Sequence, residues 1–65
     1  MKNELMKVNK HWHQWSEDQP NHVFCKSEIL VDACWDIYNE DQPDYGLLKS
    51  YIKRYWDYCD TAVTQ

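Results

Sequence analysis

Glycine and proline are nearly missing from this chain: Gly46, Pro20 and Pro43 are all there is of them in 65 residues. Tight hairpin turns draw on both, so a fold of many short strands is disfavoured. Basic residues are also short. Seven Lys and Arg stand against eleven Asp and Glu, giving a formal charge of −4, which argues against a nucleic-acid binder. No apolar run is long enough to cross a membrane, and Met1 to Leu5 does not resemble an export signal. Cysteine is present as three widely spaced residues, Cys25, Cys34 and Cys59. An odd count at such spacing predicts free thiols and a reducing, cytoplasmic setting rather than a disulfide framework.

What is plentiful is aromatic: four Trp, five Tyr and one Phe. These rings fall into helical patterns. From Asp44 to Val63 the apolar residues Leu47, Leu48, Tyr51, Ile52, Tyr55, Trp56, Tyr58, Cys59, Ala62 and Val63 occupy one half of a helix. Lys49, Ser50, Lys53, Arg54, Asp57, Asp60 and Thr61 occupy the other. An apolar half-cylinder of that width needs two further elements to cover it.

The rest of the chain supplies them. Met1, Leu5, Val8, Trp12 and Trp15 step by four and three, the stripe of a helix over 3–16. Val23, Phe24, Leu30, Val31, Cys34, Trp35, Ile37 and Tyr38 form the broad face of a second helix over 22–39, and the third covers 44–62. Asn21 is the first choice of cap for the second helix. Ser27 is the alternative, which would leave 23–25 extended. Asp44 is the expected cap of the third. With no glycine after the third helix, residues 61–65 are expected to fray.

The two breaks between helices are nearly the same sequence. Trp12-x-x-Trp15-Ser-Glu-Asp-Gln-Pro-Asn matches Trp35-x-x-Tyr38-Asn-Glu-Asp-Gln-Pro-Asp at an offset of 23. Both read as corners with an aromatic pair, an acidic turn, and proline before a cap. Two short corners and three amphipathic helices predict one all-α domain over residues 1–65, an up-down-up bundle. Its expected core is Leu5, Val8, Trp12, Trp15, Leu30, Val31, Cys34, Ile37, Leu48, Ile52, Tyr55 and Cys59.

Chemistry has little to work with. His11 and His13 point about 160° apart on a helix. His22 and Cys25 have a local spacing suited to a metal, but no second close pair completes a site. No metal and no cofactor are expected. Cys34 and Cys59 lie on apolar faces, where thiols are inert, and a bundle this small offers no deep cleft for a nucleophile and its base. An enzyme is not expected.

Two surface features point to binding instead. Glu28, Asp32, Asp36 and Glu40 repeat at i, i+4 along the second helix, with Ile29 among them and Trp35 at the border. Carboxylates spaced about 6 Å apart along a helix approach the spacing of phosphates on a nucleic-acid strand. A core of this size holds about six or seven large rings, fewer than are present. The surplus, with Tyr45, Trp56 and Tyr58 at the borders of the third helix, is of the kind found at binding hot spots. The sequence therefore reads as a small acidic interaction protein that binds a larger macromolecule with a basic surface and inhibits or modulates it. Phage and mobile-element accessory proteins are often of this size. Against a host nucleic-acid enzyme or defence complex, the acidic ridge would act as a nucleic-acid mimic. The alternatives are a DNA-binding regulator using Lys49, Lys53 and Arg54, and a structural homodimer.

Overall fold

The computed structural model describes residues 2–64, with side chains described through Ala62. Three helices follow in order: α1 (Lys2–Trp15), α2 (Asn21–Tyr38) and α3 (Tyr45–Thr64), with a single 3-10 turn (Ser16–Asp18) after α1. There is no strand among the described residues. The predicted all-α bundle is the observed fold. Contacts fix its direction. Trp12 meets Phe24 and Ser27 while Asn9 meets Trp35, so α1 and α2 run antiparallel. His22 and Lys26 lie beside Tyr58 and Thr61, so α2 and α3 are antiparallel too.

The core is a continuous cluster of Leu5, Val8, Val31, Cys34, Ile37, Leu48, Ile52, Tyr55 and Cys59. All nine are residues that the helical periodicity selects. Trp12, Trp15 and Leu30, expected inside, pack against the cluster only partly buried. The two indoles turn their N–H edges inward, Trp12 toward the buried Ser27 hydroxyl, and leave part of the ring body at the surface. Val23, on the apolar face of α2 but outside the expected core, is buried at the start of that helix. Two buried residues lie off the apolar faces, Ser16 and Ser27. Ser27 is fully buried because its hydroxyl is fully used: it donates to the Phe24 carbonyl at 2.9 Å and accepts from the Trp12 indole N–H at 2.8 Å. A small polar residue so satisfied costs little to bury.

The corners differ from one another despite their matching sequences. Asp44 caps α3 as expected, its carboxylate accepting from the Leu47 amide at 3.0 Å and its carbonyl from the Leu48 amide at 2.9 Å. Asn21 does not cap α2. It is the first residue of the helix, and the cap position belongs to Pro20, whose carbonyl accepts from the Val23 and Phe24 amides. Proline supplies the fixed φ of −59°, and no side chain caps the helix. The Ser27 alternative is excluded with it, since residues 22–26 are helical and Ser27 lies mid-helix. At the far end, α2 stops at Tyr38, so Glu40 sits in the turn and not on the helix. The third helix continues through Thr64, three residues past the point where the missing glycine predicts fraying. Gln65, and Met1 of the predicted stripe, lie outside the described residues.

The core assignment carries an expected result. Ile52→Ala should destabilise the fold by about 2–5 kcal/mol. Ser27→Ala should cost about 1–3 kcal/mol by leaving the Trp12 indole N–H unpaired. Chemical denaturation followed by Trp fluorescence checks both, and a Ser27→Ala variant as stable as wild type would refute the second.

Candidate interaction surface

The first helix is held largely by rings. His11 is central. Its Nδ1 is hydrogen-bonded to the Tyr55 hydroxyl at 2.8 Å. Its ring lies 4.7 Å from that of Trp56 and is stacked on Trp15 at 5.9 Å, measured between centroids. Tyr55, fully buried, also contacts Trp56 ring to ring at 5.3 Å. This box of four rings closes the α1–α3 seam. In the sequence His11 stands out only as a histidine turned about 160° from His13. A helical wheel puts it on the flank that faces a neighbouring helix, about 80° from Val8 and Trp12 on average, which is the signal available for it. The Trp15 Nε1 in this box is buried without a hydrogen-bond partner among the described residues.

Trp35 plays a similar part on the α1–α2 seam. Its Nε1 donates to the Asn9 side chain at 3.3 Å, and its ring meets Tyr38 edge to face at 6.0 Å. It is thereby committed to holding α1. Trp56 is committed to the His11 box in the same way, though one side of it stays open.

Of the acidic series, Glu28, Asp32 and Asp36 project from α2 on the side away from the core, and all three are exposed. Ile29 stands beside them with 67% of its surface exposed, more than any other large apolar residue described. Glu40 follows in the turn. These residues form one surface. Tyr45, Trp56 and Tyr58 do not. Tyr45 is half exposed at the start of α3. Trp56 faces α1, while Tyr58 faces the first turn of α2 and lines a hollow with Pro20, His22 and Lys26. A rotation of about 200° separates Trp56 from Tyr58 on α3, so they flank the apolar half from opposite sides.

The three cations of the DNA-binding alternative diverge as well. Lys49 and Lys53 line a groove between α1 and α3 together with Glu4, Ile52 and Trp56. Arg54 points elsewhere and lies over the Tyr51 ring at 5.1 Å.

The chemistry-bearing residues are separated too. Among the described residues no three His, Cys, Asp or Glu side chains come together to hold a metal ion. All three thiols are free: Cys25 is exposed, Cys34 and Cys59 are buried. Burial pushes the Cys34 thiol up to about 11 and raises Cys59 and the Tyr55 phenol as well. No helix among the described residues is long and apolar enough to cross a membrane. No family model matches the chain, and no curated protein or solved structure matches it either.

The thiols give a direct test. A thiol-specific reagent near neutral pH should modify Cys25 at once and Cys34 and Cys59 only on unfolding. Because folding holds the Cys34 thiol neutral, its contribution to stability is complete below the ordinary thiol value of 9.0 and is lost as pH rises toward about 11. The thermal midpoint should therefore fall over that alkaline range. Rapid modification of all three thiols in the native protein would contradict the burial.

Proposed function

We propose that this chain is a small helical binding protein that acts by occupancy rather than catalysis. It docks the outer face of α2 onto a basic surface of a larger macromolecule and so inhibits or modulates it. The observation that carries the reading is Ile29, a largely exposed branched side chain set among Glu28, Asp32 and Asp36 on the side of α2 turned away from the core. The fold makes no use of that apolar side chain, whereas Phe24, Leu30, Trp35 and Tyr38 of α2 pack against neighbours. Acidic side chains around an apolar anchor suit a basic partner: the charges speed encounter and the anchor slows departure. A nucleic-acid enzyme is the partner class in which such a face has most to meet, since its channel already binds a regular row of negative charge. Free thiols support a cytoplasmic setting. The size and the acidic character are those of accessory proteins of phages and mobile elements.

The test uses immobilised wild-type chain, Asp32→Lys with Asp36→Lys, and Ile29→Ala, each exposed to the same nuclease-treated cell extract. A true partner is retained by wild type and lost on the charge reversal, and duplex DNA displaces it. With that partner purified, Ile29→Ala should speed dissociation with little change in association, while the reversal slows association at low salt. A partner that binds all three chains alike, or that binds away from α2, would overturn the reading.

A further inference from the structure

The groove between α1 and α3 is a second surface that combines charge with apolar area. It encloses about 400 Å³ over Ile52 and Trp56, with Lys49 and Lys53 along its α3 side. Glu4 shares it, and two lysines against one carboxylate leave it net positive. No α2 residue lines it, so it lies on the side of the bundle opposite the acidic face. We infer that this groove receives the α2 face of a second copy of the same chain, joining molecules head to tail.

The two surfaces match in register as well as in sign. Along α2, Ile29 is followed by Asp32 after three residues and by Asp36 after four more. Along α3, Trp56 is preceded by Lys53 at three residues and by Lys49 at four more. Laid antiparallel, the helices set Ile29 against Trp56, Asp32 against Lys53 and Asp36 against Lys49. The steps along the axis are equal on both sides, about 4.5 Å and then about 6 Å. All four charged residues are exposed in the single molecule. Trp56 and Ile52 give Ile29 an apolar seat, the arrangement in which a central anchor is ringed by polar pairs.

The direction of the helices fits too. Inside the molecule α2 already runs antiparallel to α3. A second copy's α2 laid antiparallel on the other side of α1 and α3 repeats that orientation, so the second molecule keeps nearly the heading of the first. Its own groove then faces outward again. Contacts of this kind do not close about a two-fold axis and instead build an open chain of molecules. The acidic face is the one used in the function proposed above, but the groove is not. Partner binding and self-association therefore compete for α2 and can be told apart at Lys49 and Lys53.

Sedimentation velocity tests this on the full chain. Wild type at low salt should show a mass that climbs past dimer as concentration rises and falls again at high salt. Asp32→Lys with Asp36→Lys, or Lys49→Glu with Lys53→Glu, should each raise the concentration needed for association by roughly tenfold or more. Both should keep the wild-type far-UV helix signal, since no core residue changes. Mixing the two reversed chains should restore association, because each then meets a surface of opposite sign. Wild type that stays monomeric throughout, assembly that stops at a dimer, or a mixture that stays monomeric would overturn the inference. The Lys49→Glu with Lys53→Glu chain should keep its capture of the α2 partner, which separates failure here from failure of the proposed function.

Discussion

A hydrogen bond between the His11 ring and the Tyr55 hydroxyl joins the first helix to the middle of the third. Much else follows from how that seam is made. α1 places only two fully buried residues in the core, Leu5 and Val8. A helix that gives so little aliphatic area gains less from burial than α2 or α3, which between them supply the rest of the cluster. The remaining attachment comes from side chains with one apolar and one polar part. His11 bonds Tyr55, Trp12 donates to Ser27, and Asn9 accepts from Trp35. Each of these three links satisfies a polar atom across a helix boundary, the condition under which Trp, Tyr and His are buried without loss, and the Trp15 indole N–H is the exception.

Fixing α1 by its flank rings determines the surface. Trp56 is turned toward His11, which opens the α1–α3 groove in front of it, with Lys49 and Lys53 alongside. Meanwhile α2 is gripped from the inner side by Trp12 and Asn9, so its carboxylates and Ile29 face outward. Glu28, Asp32 and Asp36 thus lie on the outside of α2, and Lys49 and Lys53 on the far side of the bundle, where Glu4 shares their groove. Every helix in a three-helix bundle has one face toward the core and one toward solvent, so packing sorts polar from apolar residues and the sign of each face comes from the sequence.

The helices and most of the core were legible in the sequence because burial in a bundle leaves a 3.6-residue period, and Leu48, Ile52, Tyr55 and Cys59 keep it without interruption. Asp44 was legible because a cap acts through its own side chain. What periodicity does not carry is the pairing of flank residues. Nothing in the spacing of His11 shows that Tyr55 stands opposite, and Ser27 looks polar until Trp12 is placed beside it. Asn21 misled because Pro20 takes the cap position and the helix starts one residue earlier than expected, and Glu40 because α2 ends two residues before it. On the surface, the α2 acids and Ile29 came out together because one helix presents them. Tyr45, Trp56 and Tyr58 share a helix but not a side of it, and a wide apolar half hides that difference until the neighbours on each flank are known.

The His11–Tyr55 link is a specific coupling between α1 and α3, and a double-mutant cycle measures it. His11→Phe keeps a ring in the box, Tyr55→Phe keeps the buried volume, and the double variant removes both polar partners. Equilibrium denaturation of the four proteins should give a coupling of about 0.5–1.5 kcal/mol, with the double variant less destabilised than the sum of the singles. Strictly additive losses would contradict the account and leave α1 held by Leu5, Val8 and ring packing alone.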